Sequence, residues 1–283
     1  MKITTKMVLG FSIIFFVLLS IIAFYGYTNI NKQLTERINS QVKSELTTNV
    51  SLLNNWLLEK AEDLQTTAMI ISNTAPEKIT ADYVQHYKKD PDMTDMYIGF
   101  SDGNMLDGSG WTPPSDYNVV TRDWYKNAQK SKSVVFSDPY IDKITKKIVI
   151  TPSVRITNEK GDIVGAVGAD IFLATLQSSV DNMKVLNGKG YAFLIYGNET
   201  SGSFISHPIE ELEGIDILNP DGQESKIKNI VETQGLNLRD LQEMFKTLLS
   251  KNSGVITVKF KNENKIIAFK KLVNSNWVLA VSA

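Results

Sequence analysis

The stretch "VLGFSIIFFVLLSIIAFYGY", Val8–Tyr27, contains no charged residue. A helix crossing a hydrocarbon core needs roughly 20 predominantly apolar residues, so this segment alone commits part of the chain to lipid or to removal. Lys2 and Lys6 precede it, which places the N-terminus on the cytoplasmic side. Tyr25 and Tyr27 stand where an interfacial aromatic belt belongs. A cleaved signal peptide has a shorter apolar region and a small-residue cleavage site. Here the run is longer and ends in "IIAFYGYTNI", a poor site. The expectation is a cytoplasmic tail over 1–7 and an uncleaved anchor over 8–29. No second run of this kind follows, so a single-pass cell-membrane protein is expected, with residues after Tyr27 extracytoplasmic.

That remainder is expected to fold. The 283 residues are 42% hydrophobic and 22% charged, a globular balance. With a net charge of −1 and no basic run, the chain lacks the electrostatic footprint of a nucleic-acid binder. Cysteine is absent, which excludes a disulfide framework and Cys-based zinc sites. His86 and His207 are too far apart for a two-histidine helical metal motif, and neither a metal nor a cofactor is expected. No G-x-S-x-G elbow, P-loop or paired metal-ligand motif appears, so the expectation is a binding protein rather than an enzyme.

From Ile30 the apolar residues Leu34, Ile38, Val42, Leu46, Val50, Leu53 and Leu57 recur at steps of three and four, continuing through Ala61 and Leu64 toward Ile71. This is one face of a helix, ended by the proline of "SNTAPEK". A helix over 30–75 either carries a domain away from the membrane, pairs with a copy of itself, or packs along its own domain. Different stretches can do different things.

Beyond it the texture turns to strands. "MYIGF" precedes the turn "SDGN", and "KKIVITPSVRIT" and "DIVGAVGADIF" flank the hairpin signal "NEKG". Leu173–Val185 reads as helical. "YAFLIYG" and "GSFISHP" flank "NETS", "NLRDLQEMFKTLLSKNSG" reads as a helix with a glycine stop, and three strands follow in "GVITVKF", "KIIAFKKL" and "WVLAVSA". Short turns between successive strands imply antiparallel neighbours. The fold class is therefore α+β, with two tandem modules over 76–187 and 188–283. In "SHP", His207 reads as a hydrogen-bonded turn residue.

The order membrane helix, long helix, "RDWY…DPYID…GAVGADIF", then "GYAFLIYGN…FISHP" resembles the double Cache sensor domain of bacterial transmembrane receptors, above all methyl-accepting chemotaxis proteins. The resemblance spans nearly all of Ile30–Ala283. It implies two PAS-like modules on a long helix, a ligand in the membrane-distal module, and a homodimer formed through the helix. The amino-acid-binding subgroup of that family has a dispersed signature, matched here by Tyr117, by Arg122, Trp124 and Tyr125, and by Tyr140 and Asp170. Arg122, Trp124 and Tyr117 resemble its carboxylate-binding side; Tyr140 and Asp170 resemble its ammonium-binding side, with Asp142 a further acidic position.

The chemistry agrees with that resemblance. A zwitterion needs two opposite poles. Arginine offers a planar fork of fixed charge; tryptophan adds an N–H and excludes water. Aspartate and tyrosine hydroxyls accept from an ammonium, and tyrosine faces attract it. Each residue alone also has a plain structural reading: Arg122 pairing with Asp116 or Asp123, Trp124 and Tyr125 in a core, Tyr140 at a turn. Asp170 resists one, because it interrupts the apolar "VGADIF" and a buried carboxylate requires compensation. Side-chain selectivity is expected from Tyr97–Trp111 and the loop before Tyr117.

Three readings stay open: a small-molecule sensor, an anchored scaffold, and an accessory subunit signalling through a partner. A double Cache receptor would continue into a second membrane helix and cytoplasmic output. That output is expected from a longer receptor, a histidine kinase, a diguanylate cyclase or a separate protein.

Overall fold

The computed structural model describes residues 3–85, 92–261 and 263–283; His86 lies outside them. Helix α1 (Ile3–Ser72) runs unbroken through the apolar segment and beyond it. It contains one stretch apolar and long enough to cross a membrane, near the N-terminus, with Phe11, Phe15, Phe16, Ile22 and Phe24 all exposed. The heptad-like stripe then divides. Ile30 and Leu34 are exposed, whereas Val42, Leu46, Val50, Leu53, Leu57, Ala61, Leu64, Ala68 and Ile71 are buried. The upper part of α1 is therefore the spine of its own domain. A one-turn α2 (Asp82–Gln85) follows.

The chain continues as β1 (Met93–Phe100), β2 (Met105–Asp107), α3 (Asp123–Gln129), β3 (Val135–Phe136), β4 (Tyr140–Ile141), β5 (Ile148–Ile150), β6 (Pro152–Thr157), β7 (Ile163–Phe172) and α4 (Leu173–Asp181). Next come β8 (Tyr191–Gly197), β9 (Gly202–Ser206), α5 (Glu224–Thr233), α6 (Leu238–Ser250), β10 (Ser253–Phe260), β11 (Glu263–Lys271) and β12 (Trp277–Ser282). Among the described residues these strands form two antiparallel sheets. The seven-stranded sheet has the path β2-β1-β7-β5-β4, with β6 also on β7 and β3 on β6; the five-stranded sheet has the order β10-β11-β12-β8-β9.

Alternation along the strands gives each sheet two different faces. On β1 and β7, Met96, Ile98, Val167, Ala169 and Ile171 join the stripe of α1 in one core. From the second sheet, Leu194, Trp277, Leu279 and Val281 join the same core, so one helix face serves both sheets. The opposite face of the second sheet, with Phe193, Phe204 and Phe269, packs on α5 and α6. The opposite face of the first sheet, with Tyr97 and Ala166, packs on Trp124 and Tyr125 of α3.

Local chemistry sets the element ends. Asn237 caps α6 by accepting from the backbone of Arg239 and Asp240. The expected glycine stop is corrected: α6 ends at Ser250, the chain leaves through extended Lys251, and Gly254 lies within β10. The β-rich run "KKIVITPSVRIT" divides into β5 and β6 at Thr151, whose N–H donates to the Ser137 hydroxyl at 2.9 Å. Helix α4 stops at Asp181, short of the expected Val185. His207 is buried as a turn residue, its Nδ1 accepting from the Ile209 N–H at 3.0 Å, and burial lowers its pKa to about 4.

Candidate functional site

The site lies on the α3 face of the seven-stranded sheet. Asp170 sits near the end of β7, opposite Asp95 of β1. Its neighbours Ala169 and Ile171 point into the core, so strand alternation drives the carboxylate to the other face. There one oxygen, Oδ1, accepts three hydroxyls: Tyr97 at 2.7 Å, Thr151 at 2.6 Å and Tyr140 at 3.1 Å. Tyr140 and Thr151 are themselves 2.7 Å apart. Asp170 is buried, and burial raises its pKa to about 6, against the lowering effect of the hydroxyls. Its Oδ2 carries no hydrogen bond among the described residues.

Arg122 occupies the joint between a 3₁₀ turn (Val119–Thr121) and α3, with extended φ and ψ of −73° and 143°. The break in direction brings its guanidinium over the rings of Tyr140, at 5.5 Å, and Tyr117, at 5.9 Å. Its Nε is buried without a hydrogen-bond partner. Among the described residues Arg122 has no ion-pair partner; Asp123 instead faces Lys126. Trp124 is buried, 5.0 Å from Tyr97 between ring centroids, and its carbonyl accepts the Ser153 hydroxyl at 2.9 Å. Tyr117 meets Trp111 edge-on at 5.2 Å.

One cavity joins these groups. Tyr117, Arg122, Trp124, Tyr140, Asp142 and Asp170 line it together with Tyr97, Met105, Asp107, Trp111, Lys143 and Ile144. Tyr125 is absent from the lining and packs behind Trp124, at 5.7 Å. Asp142 lines the cavity, but its Oδ2 accepts from the Ile144 and Thr145 amides and the Thr145 hydroxyl. Its carboxylate thus also holds the turn that brings Lys143 and Ile144 to the wall.

Sequence reasoning assigned no role to Thr151 or to the hydroxyl of Tyr97. The signal for Tyr97 was available, since it lies on the strand beside "VGADIF", two residues from Asp95. Thr151 was hidden inside a run that reads as β-rich throughout.

The cavity is tight, at about 20 Å³, room for about one water. Arg122, Trp124 and Tyr140 also wall an outer groove of about 520 Å³ beside α3. Gly168 keeps the inner space open. A Cβ there would lie 2.8 Å from the Tyr97 ring, 3.2 Å from Trp124 and 3.3 Å from Thr151. Gly168→Ala is therefore expected to push Tyr97 off Asp170 and lower the melting temperature by several degrees, about 1–3 kcal/mol of overpacking. An unchanged melting curve would show that the rings give way freely.

The Cache domain family model, dCache_1, matches residues 27–283. The methyl-accepting chemotaxis protein PscA of Pseudomonas syringae pv. tomato is 26% identical over 277 residues, 93% of this chain and 39% of that protein. McpC of Bacillus subtilis, also a methyl-accepting chemotaxis protein, is 28% identical over 189 residues, 66% of this chain and 27% of McpC. The chain thus spans well under half the length of these relatives. Among solved structures, the ligand-binding domain of the Pseudomonas fluorescens chemoreceptor CtaA in complex with L-isoleucine aligns with a TM-score of 0.66 at 20% identity, covering 89% of this chain and 94% of that one. With the family match running from the end of the apolar segment through both sheets, the chain belongs to the Cache domain family, in its double form.

Proposed function

We propose that the chain is the membrane-anchored sensor part of a chemoreceptor, with both sheets outside the cytoplasmic membrane, and that its cavity takes an L-α-amino acid. One observation carries the reading: an uncommitted guanidinium and a buried carboxylate with a free oxygen line the same cavity. The ligand carboxylate takes the fork of Arg122, beside the Trp124 indole. The ligand ammonium takes Asp170 Oδ2 and the hydroxyl oxygens of Tyr97 and Tyr140. CtaA binds L-isoleucine on the same fold, in keeping with this class of ligand. The ligand-binding module is 76–187, membrane-distal, and 188–283 is the membrane-proximal module. The arrangement is one for binding, not for catalysis.

A cavity of about 20 Å³ does not hold an amino acid, so binding opens it. Arg122 and Tyr140 stand between the cavity and the outer groove and are the side chains that move. The ligand then shifts the protein between closed and occupied states by its differential affinity for them. Output passes to cytoplasmic chemotaxis signalling, as the names of PscA and McpC suggest. The outward face of α1, with Leu52, Leu58, Met69 and Ile70 exposed, supports pairing of two copies along the helix.

The test is a thermal-shift screen of the full chain in detergent against the common L-amino acids, with calorimetry on each hit. A rise in melting temperature that disappears in Arg122→Ala supports the reading. A folded chain that answers to none of them removes it.

The same reading carries a pH dependence. Below about 6 Asp170 takes up a proton and has no charge to offer an ammonium. Affinity for a neutral amino acid is expected to fall as pH drops from 7 to 5, by up to about tenfold per unit well below the pKa. Titration calorimetry at the two ends checks it; equal affinities would remove Asp170 from the ammonium pole.

A further inference from the structure

Asp107 belongs to the cavity wall, yet nothing in the zwitterion reading uses it. It ends β2 and is 4% exposed. Oδ1 is committed to its own turn, accepting from the backbone of Ser109 at 2.9 Å and Trp111 at 3.2 Å. Oδ2 is buried without a hydrogen-bond partner. Behind it on β1, the Oδ2 of Asp95 is buried and unpartnered as well. Among the described residues neither carboxylate has an ion-pair partner. The two carboxyls share one donor, a proton that burial and the Asp107 charge keep on Asp95, hydrogen-bonded to Asp107; a second donor is what Asp107 lacks, and a buried charge without one is costly.

Position says which donor. Asp107 pairs with Tyr97 across β2 and β1, and Asp95 pairs with Asp170 across β1 and β7. Asp107 is thus two strand spacings from Gly168, and Asp170 lies two residues further along β7, roughly 12 Å from Asp107 between backbones. Both side chains reach toward the same cavity, and Tyr97 sits on the strand between them. A ligand with a cationic group at each end and an extended carbon chain over that ring matches this span. The side chain of alanine or serine does not reach.

We propose that Asp107, backed by Asp95, selects the far end of the ligand, favouring an α-amino acid whose three- or four-carbon side chain ends in an ammonium or guanidinium. The proposal rests on the Arg122–Asp170 reading for the near end. Protons support it. Burial first, then the charge of Asp107, raise Asp95 to about 8, so at neutral pH the empty pair holds one proton. A cation arriving at Asp107 displaces that proton to solvent. The other charged or titratable groups on the cavity wall are Asp142, Asp170, Tyr97, Tyr117, Tyr140, Arg122 and Lys143.

The experiment is calorimetry on the full chain in detergent at pH 7.5, using L-lysine, L-arginine, L-norleucine and cadaverine. Lysine or arginine is expected to bind about tenfold or more tightly than norleucine, which lacks the second cation. Asp107→Asn keeps an oxygen for the Ser109–Trp111 turn and is expected to erase the preference, bringing the affinities for lysine and norleucine together. Binding of lysine is expected to release protons, read from its heat in buffers of different ionisation enthalpy, and Asp95→Asn to abolish that release. Equal wild-type affinity for lysine and norleucine, or a preference that survives Asp107→Asn, overturns the proposal and leaves the near end standing. Cadaverine binding that is lost in Asp107→Asn, with no amino acid bound, keeps the cation subsite and removes the Arg122–Asp170 reading. A cooperatively melting chain that binds none of the four removes both.

Discussion

Asp170→Asn is expected to remove amino-acid binding and, at the same time, to stabilise the empty protein. Loss of the charge that faces a buried ammonium costs about 2–5 kcal/mol, or roughly 30- to several-thousand-fold in affinity. Asparagine keeps an oxygen for the hydroxyls of Tyr97, Thr151 and Tyr140, so the network survives. The stability change has the opposite sign. The folded pKa of Asp170, about 6, lies above its ordinary 3.8. The folded protein therefore holds this proton more tightly than the unfolded chain, and stability falls as pH rises from about 4 through 6. At pH 7 the buried charge costs about 3 kcal/mol on that basis. Melting the ligand-free proteins at pH 7 and titrating both with the ligand checks the two halves. A variant that loses binding and also loses stability would mark Asp170 as a structural residue. Arg122→Ala is expected to match the loss of affinity, with little effect on melting, because among the described residues its guanidinium has no ion-pair partner to abandon.

Trp277→Ala is expected to be among the most damaging substitutions to the fold. Trp277 opens β12, is fully buried, and lies 5.7 Å from Phe136 of the first sheet. It belongs to the core that α1 shares with both sheets. Truncating such a side chain costs about 3–5 kcal/mol, a large part of an ordinary domain's stability, or a fall of roughly 6–20 °C in melting temperature. Its indole Nε1 is buried without a partner. Trp277→Phe removes that unmet donor along with some volume and is expected to cost markedly less than alanine. A phenylalanine variant as damaged as the alanine one would show that the indole's shape, rather than simple filling, joins the two sheets.

Much of the fold was legible because its signals are periodic. The stripe from Val42 to Ile71 and the alternation around "VGAVGADIF" follow from burying one face of a helix and two faces of a strand. Elements set by single contacts were not legible. The break at Thr151 depends on a hydroxyl of Ser137, fourteen positions away, and β3 and β4 are too short for a pattern. Helix α5 (mostly polar, with only Ile227, Ile230 and Val231 buried) gave no cue strong enough to set it apart from a loop. At the site, the dispersed residues Tyr117, Arg122, Trp124, Tyr140, Asp142 and Asp170 do line one cavity. Tyr125 faces the packing behind Trp124, since adjacent helix positions cannot share a direction. Asp107 looked like one of several turn aspartates. Only the register of β2 against β1 reveals that it reaches the same space as Asp170.

Helix α1 has neither proline nor glycine between Tyr27 and Ser72. It is gripped by both sheets from Val42 upward and bare below. Such a rod has no internal joint at which motion can dissipate. From Leu57 down to Gly26 it measures roughly 45 Å at 1.5 Å per residue. One degree of tilt imposed at the grip then moves the lower end by a little under 1 Å, about 45 Å times the angle in radians. A rearrangement at the cavity too small to alter the domain's outline becomes a lateral swing or a twist at the lipid boundary. The bare stretch between Tyr27 and Val42 supplies about half of that arm, roughly 22 Å at 1.5 Å per residue, and its length adds directly to the gain.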